Sequence, residues 1–507
     1  MKGKTKSTAP GPSMTDGAGR GDTDYGRIFH PRRVAVAGVS TEGVFSYGGS
    51  LVLSLQAMGY EGRIFPVNPK GGNFSGLKIY RRIDDIPGDI DLAVIAVGAA
   101  AVPKTLEACR KKGAAGAEII SSGFSETGTP EGRALEGKIR EIAARGIRVI
   151  GPNCFGIYCP GSGLTFLPNP DLSRRSGPVA FLSQSGGMAS DFANMGKWMG
   201  VRFSKVVSFG NGADLRETEL LRYLREDGET GVIALYVEGV ENGEDFFTAL
   251  REAARKKPVV VLKGGLSRAG GRALISHTAS LGGDRVIWKS ILKQAGAVQV
   301  EDLNEMAQAC LAFSMLPTRA CKGVSVIGGG GALGIAACDF AESFGIDIPS
   351  FPEDLKKNIE NLLPRSGASA ANPVDVANPY TPPETVNRIL RLAAGDDRID
   401  LQIMIFLFHH FRQIARTAGR PVGETIPFRE FAEALEDAAK ETGKPVVAVL
   451  SNAKRGLKDL DLVETTEKAR QAFLDRGVPV FEETRDALKA LAHVNAYDTR
   501  RGQGWDE

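Results

Sequence analysis

Three glycine-rich turns, each directly after a short apolar run rich in β-forming residues, limit what this chain can fold into. The turns begin at Gly38, Ser183 and Gly328. Similar apolar runs alternate with helical patterns along almost the whole chain. Such alternation is typical of βαβ units that build parallel sheets. The sequence therefore predicts an α/β protein made of blocks, each of which opens with a strand and a glycine turn.

The 507 residues divide into three such blocks after a short tail. Since domains usually contain roughly 100–200 residues, this length agrees with three domains. We predict a disordered tail at 1–24, which is rich in Gly, Ser, Thr, Lys and Asp, and domains at 25–160, 161–317 and 318–507. The predicted strands are Arg33–Ala37, Arg63–Val67, Leu92–Val97, Ala117–Ser121, Ile147–Ile150, Pro178–Leu182, Phe203–Ser208, Gly231–Tyr236, Pro258–Leu262, Val298–Val300, Val324–Ile327, Leu401–Phe408, Pro445–Leu450 and Pro479–Phe481.

The composition argues against several classes of function. With 63 Lys and Arg against 60 Asp and Glu, the net charge of +3 is too balanced for a general nucleic-acid binder. The longest apolar run, Leu92 to Val102, is too short to span a bilayer, and the N-terminus lacks the apolar stretch of a secretion signal. The six cysteines are scattered without a CxxC pair, so we expect no metal site, reduced thiols and a cytoplasmic protein.

The first glycine turn is a candidate site for a pyrophosphate. It begins at Gly38, and Ser40 replaces the middle glycine of the usual dinucleotide motif. The second predicted strand leads to Lys70, where an NAD site would carry a carboxylate. A lysine suits the phosphorylated ribose of CoA better, although a tight turn without a ligand remains an alternative.

The second glycine turn offers a place for a phosphate. Ser185 and Gly186 stand where a strand passes into a helix, and the free N–H groups of a helix start attract anions. A simple N-cap, in which Ser183 or Ser185 only satisfies the helix, explains the same residues.

His277 differs in its setting from the other histidines, His30, His409, His410 and His493. Small hydroxylated residues and glycines surround it, and these leave an imidazole accessible. A neutral imidazole, with an ordinary pKa of about 6.5, is a nucleophile toward phosphorus near neutral pH. A loop histidine that only makes hydrogen bonds is the alternative.

A nucleophilic histidine needs an acceptor for its other nitrogen. Glu238 ends a predicted strand, and chemistry collects beyond the carboxyl ends of parallel strands. Glu238 is therefore the candidate orienting carboxylate, with Glu241 and Glu244 as rivals.

Seven short motifs occur together in one order and spacing. They are Val67-Asn-Pro-Lys70, Ser122-Gly-Phe-Ser-Glu126, Gly151-Pro-Asn-Cys-Phe-Gly156, Leu182-Ser-Gln-Ser-Gly186, Ser208-Phe-Gly-Asn-Gly-Ala-Asp214, Ser276-His-Thr278 and Asn372-Pro-Val-Asp375. In this combination the chain resembles the ADP-forming acyl-CoA synthetases, which are relatives of succinyl-CoA synthetase. One departure is Ala279, where the family usually has glycine after the Ser-His-Thr motif.

The resemblance implies a Rossmann-like CoA-binding domain followed by two flavodoxin-like ligase domains. It also implies that phosphate converts acyl-CoA to an acyl phosphate, that His277 accepts the phosphoryl group with Glu238 orienting its ring, and that ADP then receives it. The implied phosphate-binding residues are Ser185, Gly186, Gly329, Gly330 and Gly331. The implied CoA-binding residues are Gly38, Ser40, Lys70, Val97, Ser122 and Asn153.

The family's nucleotide site belongs to an ATP-grasp domain, for which the sequence offers no candidate segment. We therefore expect Mg-ADP or Mg-ATP to bind a separate ATP-grasp β subunit, while this chain handles CoA, phosphate and a small carboxylic acid. A non-catalytic protein that senses acyl-CoA is the alternative from another class. An NAD-dependent oxidoreductase is disfavoured by Ser40 and Lys70.

Overall fold

The computed structural model describes residues 23–40, 46–165, 172–272, 284–378 and 380–502. The chain forms two compact units, which meet in sequence between Met306 and Ala307 within the helix Leu303–Met315. Residues 1–22 of the predicted tail and His277 lie outside the described residues. No helix in the described ranges is long and apolar enough to cross a membrane.

The first sheet is parallel and has five strands in the order β2-β1-β5-β6-β7. These strands, with the hairpin β3–β4, are β1 Arg33–Ala37, β2 Arg63–Val67, β3 Gly72–Phe74, β4 Leu77–Ile79, β5 Leu92–Ile95, β6 Gly116–Ile119 and β7 Arg148–Ile150. The helices are Tyr25–Phe29, Tyr47–Ala57, Val102–Lys111 and Pro130–Ala143. After β1 the chain first builds β2 on one side and later builds β5 on the other side. This reversal of strand order leaves a crevice at the carboxyl end of β1.

The second sheet repeats this order in the same unit and adds one antiparallel edge strand. Its order is β13-β12-β11-β9-β10-β8. The strands are β8 Gly156–Tyr158, β9 Val179–Ser183, β10 Phe203–Ser208, β11 Val232–Val237, β12 Val259–Lys263 and β13 Val298–Val300. Its helices are Gly186–Met199, Glu217–Glu226, Gly243–Lys256 and Arg285–Ala295. The crevice of this sheet lies between the carboxyl ends of β9 and β11, which pair in parallel.

The third sheet belongs to the second unit and has the order β15-β14-β16-β17-β18. Its strands are β14 Val324–Gly328, β15 Val374–Asp375, β16 Leu401–Phe406, β17 Val446–Leu450 and β18 Val480–Phe481. The surrounding helices are Gly331–Ser343, Glu353–Glu360, Pro383–Ala393, Phe411–Ala418, Val422–Thr425, Phe428–Thr442, Leu460–Asp475 and Thr484–Gly502. Buried phenylalanines from strand and helices, including Phe406, Phe431 and Phe473, form its core.

The predicted α/β class is confirmed, and each of the predicted strands is present to within about two residues. The structure adds the hairpin β3–β4, the short strand β15 and the antiparallel strand β8, which the sequence pattern did not reveal. Leu401–Phe408 was predicted too long, because the chain turns into a 3-10 helix at Phe408–His410. These differences concern segments of two or three residues, which are too short to show a periodic pattern.

Candidate active site

A cavity of about 910 Å³ lies at the carboxyl ends of the first two sheets. Six residues predicted from the sequence line it together, namely Val97, Ser122, Asn153, Ser185, Gly186 and Glu238. They follow β5, β6, β7, β9 and β11, so the loops at the carboxyl ends of both sheets supply the walls of the cavity. The cavity offers space for a ligand that contacts both domains.

The helix Gly186–Met199 starts at the cavity. Ser185 is its N-cap, and its hydroxyl accepts a 3.4 Å hydrogen bond from the N–H of Met188. Within the described ranges, the N–H groups of Gly186 and Gly187 have no hydrogen-bond acceptor. Ser185 therefore caps the helix, and the helix start also directs free donors and its positive dipole end into the cavity.

Gly186 has no room for a side chain. A Cβ atom there would lie 2.8 Å from the ring of Phe155, which also lines the cavity. At the next position, Gly187, the nearest atom to such a Cβ is 3.9 Å away. The ring of Phe155 therefore rests on the backbone at the start of the helix.

Glu238 follows β11 and is buried, with 8% of its surface exposed. Its N–H donates to Oε1 of Gln184 over 2.8 Å, and its carbonyl accepts a 2.7 Å hydrogen bond from Nζ of Lys263. Its Oε1 accepts a 3.1 Å hydrogen bond from the hydroxyl of Tyr236. Residues on three neighbouring strand ends thus hold both its backbone and its carboxylate.

Two ionisable side chains beside Glu238, those of Tyr236 and Lys263, have shifted pKa values. Burial, and after it the charge of Glu238, raises the pKa of Tyr236. Burial lowers the pKa of Lys263 to about 8, although the charge of Glu238 opposes the change. Because the phenol stays protonated, Tyr236 acts as a hydrogen-bond donor to the carboxylate.

The rival carboxylates have different positions. Glu241 lines the cavity but forms ion pairs of 3.4 and 3.5 Å with Arg140 and Arg216, and its side chain is 58% exposed. Glu244 lies exposed in the first turn of Gly243–Lys256 and does not line the cavity.

Asn153 is held at the floor of the cavity in a left-handed conformation, with φ of +55°. Its N–H donates to the carbonyl of Ser121 over 2.9 Å. Its side-chain amide donates to Oδ1 of Asn211 over 3.3 Å. Asn211 in turn donates to Glu126 over 2.6 Å and to Glu136 over 2.9 Å.

Sequence reasoning assigned no role to Asn211 or its two carboxylate partners. Although burial acts to raise it, the pKa of Glu126 is lowered by hydrogen bonds from Asn211 and from the N–H groups of Gly123 and Phe124. Asn211 and Glu126 lie inside two of the seven motifs, and this is the sequence signal that could have indicated them. The chain of hydrogen bonds fixes which way the amide of Asn153 faces.

Glu118 on β6 is buried behind the cavity. Its carboxylate accepts a 3.3 Å hydrogen bond from the N–H of Ile157. Burial raises its pKa from 4.5 to about 8, although that hydrogen bond opposes the change. Its side chain fills the space beside Gly156, where a Cβ atom would lie 2.0 Å from its Oε2.

Three predicted CoA-binding residues do not line this cavity. Gly38, with φ of +100°, follows β1 so closely that a Cβ there would lie 2.2 Å from the carbonyl oxygen of Ala96. The N–H of Ser40 donates to the hydroxyl of Ser46 over 3.3 Å. Lys70 is exposed after β2. They lie at the carboxyl edge of the first sheet, after β1 and β2.

The third glycine turn forms a separate place in the second unit. Gly329, Gly330 and Gly331 line a mostly apolar cavity of about 310 Å³ at the start of the helix Gly331–Ser343. Gly330 has φ of +99°, and its N–H donates to Oδ1 of Asp375 over 3.1 Å. A carboxylate of the chain thus occupies one of the N–H groups predicted to hold a phosphate.

Three protein-family descriptions match the chain. They are a CoA binding domain at residues 32–160, a succinyl-CoA ligase like flavodoxin domain at 176–313 and a ligase-CoA domain at 324–495. Their order agrees with the predicted CoA-binding domain followed by ligase domains.

Relatives with these domains cover most of the chain. The alpha subunit of ADP-forming acetate–CoA ligase I from Pyrococcus furiosus is 33% identical over 475 residues, which are 92% of this chain and 96% of the relative. The ADP-forming acetate–CoA ligase of Methanocaldococcus jannaschii is 37% identical over 365 residues, 71% of this chain. The chain spans about half the length of this relative, with 50% covered.

A solved structure has the same fold. It is the dinucleotide forming acetyl-coenzyme A synthetase 1 of Ca. Korarchaeum cryptofilum, in complex with phosphate and ADP. It has a TM-score of 0.80 and 29% sequence identity, and the match covers 95% of this chain and 98% of that chain.

Proposed function

Because the chain belongs to the ADP-forming acyl-CoA synthetase family, as a relative of its alpha subunits, we propose that it is the CoA-binding, phosphohistidine-carrying subunit of an ADP-forming acid–CoA ligase. The reaction is acid + CoA + ATP ⇌ acyl-CoA + ADP + phosphate. The observation that carries the proposal is that Asn153, Glu238 and the free helix start at Gly186 line one cavity.

The proposed reaction has three reversible steps. An oxygen of phosphate attacks the thioester carbon, the C–S bond breaks, and the CoA thiol leaves with a proton. An imidazole nitrogen of His277 attacks phosphorus of the acyl phosphate, and the carboxylate leaves as the P–O bond breaks. An oxygen of the ADP β-phosphate then attacks the phosphohistidine, which breaks the P–N bond and yields ATP.

Each lining residue has a role in this scheme that its surroundings support. The N–H groups of Gly186 and Gly187 stabilise the negative charge on phosphate and on the transferring phosphoryl group. Asn153, with its amide direction set by Asn211, faces the thioester end of CoA. The carboxylate of Glu238 accepts the N–H of the histidine ring, which keeps the attacking nitrogen unprotonated and stabilises the phosphohistidine.

CoA binding is proposed to use Gly38, Ser40, Lys70, Val97 and Ser122 together with Asn153. Gly329, Gly330 and Gly331 are proposed as a second phosphate-binding turn. An ATP-grasp β subunit is proposed to bind Mg-ADP or Mg-ATP, in agreement with relatives that are named alpha subunits. The six unpaired cysteines, five of them buried, support a reducing, cytoplasmic location.

Protein phosphorylation tests the proposal. The chain, alone and with an ATP-grasp subunit, is incubated with radiolabelled inorganic phosphate and one of acetyl-, isobutyryl-, phenylacetyl- or succinyl-CoA. Label that is stable to base and labile to acid is expected on the protein, because phosphohistidine has this stability. It should disappear in His277→Ala and remain in His410→Ala, which changes an exposed histidine.

The outcomes separate the alternatives. A regulatory acyl-CoA-binding protein would bind CoA and stay unlabelled with every acyl-CoA, which would refute the catalytic proposal. Label that persists in His277→Ala would also refute it, since another residue would then carry the phosphoryl group.

A further inference from the structure

Lys263 is a buried lysine that the reaction scheme does not use. It ends β12, and 5% of its surface is exposed. Burying an ammonium group is unfavourable unless each of its donors has an acceptor. The contacts of the Lys263 ammonium group therefore show how it is stabilised in the interior.

The ammonium group of Lys263 has three contacts, each with a different segment. It donates to the carbonyl of Glu238 after β11 over 2.7 Å, and to the carbonyl of Gly264. It also lies 4.9 Å from the ring centre of Trp288 in the helix Arg285–Ala295. An aromatic face attracts a cation at this distance.

The three contacts meet beside the proposed orienting carboxylate. Tyr236, which donates to Glu238, packs against Gly264 so closely that a Cβ there would lie 2.7 Å from its hydroxyl. Both Gly264 and Trp288 contact the ammonium group of Lys263. In the sequence, Gly264 precedes His277 and Trp288 follows it. One ammonium group therefore ties Glu238 to segments on both sides of His277 in the sequence.

We propose that Lys263 is a positioning residue for phosphoryl transfer. Its ammonium group fixes Glu238 by holding together the ends of β11 and β12 and the helix that carries Trp288. The inference rests on the proposed function. Catalytic groups must be placed within a fraction of an ångström, and a displacement of 1 Å lowers the rate by about 100-fold. Without the ammonium group, the carbonyls of Glu238 and Gly264 lose a shared donor, and the backbone at Glu238 loses its contact with the end of β12.

The same strand offers a matched control at its other end. Lys257 lies two residues before the start of β12, is half-buried, and donates from Nζ to the carbonyls of Leu224 and Asp227 over 2.6 Å each. Burial lowers its pKa to about 8, as it does for Lys263. Lys257 lies at the amino end of the strand, where no residue of the cavity is found.

The experiment compares Lys263→Met with Lys257→Met in the full chain. The rate of base-stable labelling from acyl-CoA and labelled phosphate is measured with the best acyl-CoA and the ATP-grasp subunit, and CoA binding is measured by calorimetry. We expect Lys263→Met to label about 10- to 100-fold more slowly with an unchanged CoA affinity. Lys257→Met should label within about threefold of the original rate.

The outcomes keep the two proposals apart. If the unmodified chain fails to label, the proposed function is refuted. If it labels and the two lysine variants slow equally, or neither slows, Lys263 is only structural and the inference is wrong. If Lys263→Met does not fold, Trp288→Leu takes its place, because it removes one contact of the ammonium group and leaves both carbonyls bonded. Trp288→Leu should then label more slowly at an unchanged CoA affinity. Labelling at the original rate would overturn the inference.

Discussion

The hydroxyl of Tyr236 donates a 3.1 Å hydrogen bond to Oε1 of Glu238, two residues further along the same strand end. Neighbouring residues of a strand face opposite sides, so residues two apart share a face. Among the described residues no hydrogen bond is made to the other carboxylate oxygen, Oε2. One oxygen is therefore held, while the other is available to an N–H group in the cavity.

Tyr236→Phe should slow base-stable labelling about 10-fold, with little change in the KM for phosphate. A hydrogen bond to a charged group contributes about 1.5–3 kcal/mol, and its loss leaves the carboxylate free to rotate. Initial rates over a range of phosphate concentrations measure the effect. An unchanged kcat would show that the phenol does not position Glu238.

Glu238→Gln should slow labelling about 100-fold, because an amide cannot stabilise the imidazolium charge. The matched variants are Glu241→Gln and Glu244→Gln, which neutralise the two rival carboxylates. Both should label within a few-fold of the original rate in the same assay. If Glu241→Gln caused the largest loss instead, the orienting role would belong to Glu241.

Gly186→Ala should raise the KM for phosphate about 10-fold. Its new Cβ atom would lie 2.8 Å from the Phe155 ring, so the ring or the helix start must move. Gly187→Ala introduces the same methyl group into open space, 3.9 Å from its nearest neighbour. Because this variant keeps the Gly187 N–H group and displaces no packed atom, it should raise the KM less than Gly186→Ala does. Equal KM values for the two variants would argue against a phosphate site at this helix start.

Glu118 should make the stability of the first unit depend on pH. Its pKa is raised from 4.5 to about 8 in the folded protein, so the folded state holds a proton that the unfolded state releases. Its contribution is fully present below pH 4.5 and is lost as the pH rises toward 8. At about 1.4 kcal/mol per pKa unit, the loss is on the order of a few kcal/mol.

Urea unfolding at pH 5.5 and pH 8.5 measures this effect. Glu118→Gln cannot ionise, so it should unfold with a smaller difference between the two pH values than the unmodified chain. Glu141→Gln, which changes an exposed carboxylate, should keep the original difference. The same pH dependence in all three proteins would show that Glu118 titrates normally.

That several candidate residues lie together was predictable, because ligands collect beyond the carboxyl ends of parallel strands. Glycine turns after first strands predict crevices, and Ser185, Gly186 and Glu238 meet in one of them. The contacts of Asn211 with Glu126 and Glu136 were not predictable, since the partners are 85 and 75 residues apart in sequence. Hydrophobic periodicity reports which side of a strand is buried, and it carries no information about which polar groups pair.

Lys263 illustrates the same limit. It ends an apolar strand, where a lysine normally marks the return to solvent, yet its ammonium group is buried. Nothing in the local pattern distinguishes it from an exposed lysine. Its acceptor at Glu238 comes from a neighbouring strand, 25 residues away.

The carboxylate of Asp375 on the N–H of Gly330 has a consequence for any anion that reaches the third glycine turn. An anion at this turn has to replace that carboxylate as the acceptor of the Gly330 N–H group, so it competes for a donor that already has a partner. On the proposal that this turn holds a phosphate, a phosphoryl group attached to the protein would compete better than dissolved phosphate, because attachment raises its effective concentration.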